Sequence, residues 1–250
     1  MKPISFIIPS RNNKTYLEMC YNSIRKNSGY THEICFADDF SEDGTWEYLQ
    51  EIKSKDDNVK IYRNEGPERL GLTILYDKIV EEMATNDRLL FFHSDMYLFP
   101  DALDYVDEYL EEGVVVTLTR VEPPLHPEGP EKIVVDFGIE PDELKEQQLL
   151  DWYRRYEPTQ EITEGVFAPW SIMRKDFESI GGHDKLFRPQ SKEDSDIFNR
   201  LQLNGIKFIQ TWKGLVYHMT SRGSRFNPYS GGAPGKDSPE WLYTTNKNMR

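Results

Sequence analysis

Over the first 95 residues, short apolar runs alternate with helical periodicities. Ile4 to Ile8 is apolar and rich in β-branched residues, as a buried strand is, and Leu17, Cys20 and Ile24 then recur at helical spacing. Glu33 to Ala37 returns to strand character and runs into Asp38-Asp39-Phe40-Ser41. Asp43-Gly44-Thr45 makes a turn with a helix cap, and Trp46, Leu49 and Ile52 mark the next helix. Val59 to Tyr62 reads as a strand, Leu72, Leu75, Ile79 and Met83 as one helical face, and Arg88 to Phe92 as a strand that ends in His93-Ser94-Asp95. This alternation predicts an α/β fold with a parallel, doubly wound sheet and helices on both faces. Ligands collect beyond the carboxyl ends of such strands, so Pro9-Ser10-Arg11-Asn12, Asp38-Asp39 and Ser94-Asp95 should converge.

The middle of the chain is less regular. Pro100 opens a helix through Leu110, Val114 to Leu118 is a strand, and Pro123, Pro124, Pro127 and Pro130 break the chain into a loop. Leu144 to Tyr156 has helical spacing, Gly165 to Met173 is extended and aromatic-rich, and Gly181-Gly182 is a turn. A helix then follows through Ile197 and Leu201; its first turn carries Glu193, Asp194 and Asp196, where the helix dipole favours carboxylates. A late His218 follows another apolar strand.

At 250 residues and 38% hydrophobic content the chain can bury one sizeable core, and no linker divides it. Thirty basic against 43 acidic residues give a net charge of −13, which argues against nucleic acid or anionic membrane as the general partner. Apolar runs fall far short of the roughly 20 residues that cross a bilayer, and no secretion signal precedes Ile4. Cys20 and Cys35 supply neither a disulfide framework nor a zinc site, so a cytoplasmic setting is the expectation. Oligomeric state is not legible.

Four motifs occur in order: Ser5-Phe6-Ile7-Ile8-Pro9-Ser10-Arg11-Asn12, Ala37-Asp38-Asp39-Phe40-Ser41-Glu42-Asp43-Gly44-Thr45, Phe92-His93-Ser94-Asp95, and Arg188-Pro189-Gln190-Ser191-Lys192-Glu193-Asp194-Ser195-Asp196. Together they resemble the family-2 glycosyltransferases of the GT-A fold. The resemblance implies a GT-A-like (Rossmann-like) domain over residues 1–218, nucleotide-binding to about 98 and acceptor-binding and catalytic beyond, with a lid or tail over 219–250. It also implies an inverting sugar transfer from a nucleoside-diphosphate sugar, UDP-linked by preference, to a hydroxyl of a glycan, lipid-linked sugar or protein. Pro9, Ser10, Arg11 and Asp39 match positions around the donor, with Asp39 beside the base and Asp38 supporting the turn. Ser94 and Asp95 hold the end of the Asp-x-Asp motif, where Asp95 binds Mn²⁺ or Mg²⁺ and His218 completes the metal shell. Asp194, in a pair with Glu193, matches the catalytic base.

A hard cation neutralises a diphosphate leaving group, and a carboxylate takes the proton of the attacking hydroxyl. The first acidic position of the Asp-x-Asp motif is His93 here, which either ligates a softer ion such as Mn²⁺ or hydrogen-bonds a neighbouring turn. The Asn common in the preceding helix is replaced, with Asp77 the nearest residue. Arg222 and Arg225, among glycines and prolines, are expected to reach phosphate on closure, unless the segment is an ordinary tail. Most of Trp152, Tyr153, Tyr156, Phe167 and Trp170 belong to a core; Trp170 is singled out for acceptor binding because it falls between the two acidic clusters. Taken singly, Asp38, Asp39 and Asp43 read as turn residues and His218 as structural; their joint occurrence carries the argument. A nucleotidyltransferase, or a non-catalytic carbohydrate-binding protein on the same fold, are the alternatives.

Overall fold

A computed structural model describes residues 2–124, 129, 131–189 and 192–219. Its N-terminal half follows the expected alternation: β1 (Ser5–Ser10), α1 (Lys14–Ser28), β2 (Glu33–Asp38), α2 (Thr45–Lys55), β3 (Val59–Arg63), α3 (Leu72–Glu82) and β4 (Arg88–Phe91). After it come β5 (Met96–Leu98), α4 (Ala102–Tyr109), β6 (Val114–Glu122), β7 (Lys132–Val134), α5 (Glu146–Tyr153), β8 (Ile162–Thr163), β9 (Trp170–Met173), α6 (Arg174–Ser179), α7 (Glu193–Leu203) and β10 (Lys207–His218).

All of these strands join one sheet, in the order β3-β2-β1-β4-β9-β6-β10-β5, with β7 beside β6 and β8 beside β10. The β3-β2-β1-β4 portion is parallel, as is β6 with β10. β9 runs antiparallel to both β4 and β6, and β5 and β8 run antiparallel to β10. The sheet is therefore mostly parallel with an antiparallel seam at β9, which the alternation alone did not predict.

Side-chain alternation along the strands feeds two cores. Phe6, Ile8, Ile34 and Phe36 meet Leu17, Cys20 and Ile24 of α1, Leu49 and Ile52 of α2, and α4 on one face. Ile7, Cys35 and Ala37 point the other way, to Leu75, Tyr76, Ile79 and Val80 of α3 and to α6 and α7. Helices thus cover both faces, as expected. A third cluster, from Tyr16, Tyr97, Phe99, Phe137, Leu149 and Tyr217, closes the sheet's far end under α5.

Trp170 belongs to this packing and not to a ligand platform. It is 1% exposed, stacks on Phe91 at 4.1 Å and 7°, and meets Phe198 edge-on at 5.4 Å. At that burial the ring offers no open surface to a ligand, and the expectation of acceptor binding there is corrected. Two boundaries also move: the helix expected over Leu144 to Tyr156 is Glu146–Tyr153, and the strand expected to stop at Leu118 continues to Glu122.

The amino end of the sheet is tied by one buried carboxylate. Glu33 accepts from Ser5 Oγ, from the Thr85 and Asn86 amides at 2.5 and 3.1 Å, and pairs with Lys60 at 2.7 Å. Burial opposes the charge, but these donors hold its carboxyl at about 2. A folded-state value below the unfolded one gives stability that is present at neutral pH and is lost as pH falls toward 2. Glu33→Gln is expected to cost about 1–3 kcal/mol in urea unfolding at pH 7. The cost should shrink at pH 3; a deficit independent of pH would contradict it.

Candidate active site

The loops at the carboxyl ends of the strands clasp one another. Behind β1, the Asn12 amide donates to Ser41 Oγ at 2.9 Å and Asn12 Oδ1 accepts from the Glu42 amide at 2.8 Å, which joins that loop to the one behind β2. Asn13 Nδ2 donates to Ser94 Oγ at 2.9 Å and joins it to the loop behind β4. A short polar residue at each loop makes these bonds, so the three sequence motifs meet at one rim.

On one side of this rim lie Pro9, Ser10, Arg11, Asp38 and Asp39. Pro9 and Ser10 are buried at the end of β1, and Ser10 pairs in register with Asp38, which pairs with Arg63. Asp39 is 2% exposed and saturated from inside: its oxygens accept from Asn64 Nδ2 at 2.8 Å and from the Leu70 and Gly71 amides at 2.9 and 3.0 Å. Asp38 takes the Ser41 amide on Oδ2 at 3.4 Å, whereas its Oδ1 and the neighbouring Ser10 Oγ are buried without a hydrogen-bond partner among the described residues. Burial raises the Asp38 carboxyl above its ordinary value. Unpartnered polar atoms in adjacent register positions need a ligand or water to satisfy them.

Next along the rim, His93, Asp95 and His218 place one ligand atom each within 4.8 Å of one another. Asp95 immediately precedes β5; His218 ends β10 and pairs in register with Met96. His218 Nε2 lies 3.4 Å from Asp95 Oδ2, while its Nδ1 lies 2.9 Å from Glu122 Oε1. Burial disfavours the His218 cation, yet the two carboxylates hold its pKa up at about 9. Although burial opposes it, the adjacent His218 charge keeps Asp95 below the carboxylate range, and burial pushes His93 down toward the neutral form. Two imidazoles and a carboxylate can ligate a divalent ion, and they fit the cation that the motif implies. His93, whose role the sequence left open, belongs to this set.

The acidic start of α7 reaches the same space. The Leu72 amide donates to the Pro189 carbonyl at 2.7 Å, and Gly71, at φ +82°, lets the two segments touch, since a Cβ there would collide with the Pro189 backbone. Behind them the His183 ring lies 2.8 Å from Asp77, in the helix where Asn was expected, and Arg200 donates to the Ile180 and Gly182 carbonyls. Asp196 is occupied by Arg200 at 2.8 Å, so it braces the helix. Asp194 lies close enough to His93 to favour its cation. Tyr76, stacked on His183 at 5.3 Å, has its phenol pushed up by burial and by the charges of Asp194, Glu193 and Asp95 together. The start of α7 and the His93, Asp95 and His218 cluster are therefore within electrostatic reach of one another.

Arg222 and Arg225 lie outside the described residues, as do Gln190 and Ser191 of the fourth motif. Tyr76 and Glu122 escaped the sequence reading. The signal for Glu122 was an acidic residue closing an apolar strand, hidden because that strand was ended too early. No helix of the described residues is long and apolar enough to cross a membrane.

Comparison with known proteins agrees with this fold. The family model for glycosyl transferase family 2 matches residues 5–179. Abequosyltransferase RfbV of Salmonella typhimurium is 35% identical over 121 residues, covering 46% of this chain and 34% of that protein. The uncharacterized protein MT1568 of Mycobacterium tuberculosis is 33% identical over 122 residues, 48% of this chain and 37% of its own length. The matched segment thus spans about a third of each relative. Among solved structures, GalNAc-T7 with UDP, GalNAc and Mn²⁺ superposes with a TM-score of 0.64 at 17% identity, covering 86% of this chain and 43% of that one. Staphylococcus aureus TarS in complex with UDP gives 0.63 at 17% identity, covering 86% and 60%.

Proposed function

The chain belongs to glycosyl transferase family 2, and from that premise we propose that it transfers a sugar, with inversion, from a nucleoside-diphosphate sugar to an acceptor hydroxyl. The observation that carries the proposal is the clustering of His93, Asp95 and His218, with Asp194 near enough to act on His93. A fold alone would not assign the chemistry. UDP is the preferred nucleotide, supported by the UDP complexes of two structures with the same GT-A fold.

The base occupies the rim pocket of Pro9, Ser10, Asp38 and Asp39, where Ser10 Oγ and Asp38 Oδ1 await partners. Arg11 and Ser94 face the phosphates. His93, Asp95 and His218 would hold a divalent cation, which when bound would neutralise charge developing on the departing diphosphate. Asp194 accepts the proton of the acceptor hydroxyl as its oxygen attacks the anomeric carbon opposite the leaving group, and Glu193 assists beside it. The nucleotide side is built from residues up to about 98 and the acceptor side from those beyond.

Nucleoside diphosphate release from a panel of nucleotide sugars, with Mn²⁺, Mg²⁺ or chelator, tests the reading. Cation-dependent release from one donor supports it. Release of pyrophosphate would point to nucleotidyl transfer, and no donor binding at all would sink both.

A proton balance checks the cation set separately. With its pKa at about 9, His218 is protonated at pH 7, and a cation can bind only the neutral ring. Binding of Mn²⁺ is expected to release close to one proton at pH 7, and affinity should rise with pH and level off above about 9. Calorimetry in two buffers of different ionisation enthalpy reads the proton count. A count of zero would remove His218 from the ligands.

A further inference from the structure

We propose that Glu122 is a positioning residue that fixes which nitrogen of His218 faces the cation, and thereby sets the affinity of the site; the inference rests on the cation reading above. Glu122 ends β6, one residue past Val121, which pairs in register with Tyr217 of β10, so the parallel strands bring its carboxylate beside the His218 ring. Its contact with Nδ1 is 2.9 Å. A carboxylate only accepts, so the Nδ1 position must carry the proton. Nε2 is then the nitrogen left for a cation, and it is the one turned toward Asp95 at 3.4 Å.

The carboxylate is itself held. Lys132 of β7 donates to Glu122 Oε2 at 2.8 Å, with side chains only 7% and 4% exposed, and Arg120 approaches Oε1 at 3.4 Å. Arg120 is steadied in turn by the Phe167 ring, 4.8 Å from its guanidinium carbon. Both oxygens of Glu122 are thus engaged from fixed directions, and the residue can hold the imidazole in one rotamer and one tautomer. Partners of this kind behind a metal-binding histidine are worth about 10–100-fold in affinity. The competing explanation is that Glu122 only neutralises Lys132 and Arg120. That role would affect stability without touching the cation.

Mn²⁺ titration followed by electron paramagnetic resonance, on the wild type, Glu122→Gln and Glu122→Ala, separates them, with thermal melting alongside. The expected result is about 10–100-fold weaker binding for Glu122→Ala. Glu122→Gln, which keeps an accepting oxygen, should fall in between. Folded variants that bind Mn²⁺ as tightly as the wild type overturn the proposal. Should the variants not fold, the wild type loaded with diamagnetic Cd²⁺ decides: ring ¹⁵N spectra should show the proton on Nδ1 and the cation on Nε2, and the reverse overturns it. A wild type that binds neither ion sinks the cation reading and this one with it, whereas equal binding by wild type and Glu122→Ala sinks this one alone.

Discussion

Asp194→Asn is expected to leave donor and Mn²⁺ binding intact while lowering turnover by about 10²–10⁴-fold. The substitution keeps the shape of the side chain and its place in the first turn of α7, where Asn is tolerated, so the helix should persist. It removes the only property the chemistry needs, a basic oxygen. Glu193 does not simply take over, because adjacent residues on a helix project about 100° apart. Asp196 is held by Arg200 at 2.8 Å. Single-turnover release of nucleoside diphosphate, with saturating donor and acceptor, reads the effect. A variant that loses donor affinity while keeping its turnover number would move Asp194 from proton transfer to substrate binding.

Asp95→Asn should be the most damaging change at the cation set. Asp95 supplies its one carboxylate and is 8% exposed, so nothing from solvent replaces the missing charge. Loss of the cation forfeits charge stabilisation worth several kcal/mol in the transition state, and a figure of about 4 kcal/mol corresponds to about 10³ in rate. Binding of Mn²⁺ should fall below detection in the same titration. Folding should survive, because His218 retains Glu122 at 2.9 Å. Full activity in the presence of chelator, for wild type and variant alike, would refute a cation-dependent mechanism.

The sequence showed most clearly what local chemistry determines. Strand and helix alternate through the first 95 residues because each unit packs on its neighbour, so the periodicities are unambiguous and β1 to β4 fall where they were expected. Asp95 and His218 were legible as polar residues closing apolar runs. Less was legible where pairing is remote. The β9 strand joins β4 to β6 in antiparallel sense, and nothing in Trp170-Ser171-Ile172-Met173 reports its direction or that both faces are covered. That is why Trp170 read as available when it is core. The Met96–Leu98 strand is too short to show a period, although its pairing with β10 sets His218 beside Asp95. Glu122 was missed because its strand was ended at Leu118, and its partner lies 96 residues away.

The placement of β10 bears on how the molecule is made. It is the last of the described strands to leave the ribosome, yet it is inserted between β6 and β5 and not added at an edge. Until residues 207–218 have emerged, β5 and β6 flank an open slot with unpaired backbone, an invitation to stray pairing with other chains. The same strand delivers His218. A product that stops short of residue 207 therefore keeps that slot open and lacks one member of the His93, Asp95 and His218 cluster, which comes together only as the slot closes. A coding-sequence truncation at residue 179, where the family match ends, would remove α7 and β10 together and leave that slot unfilled.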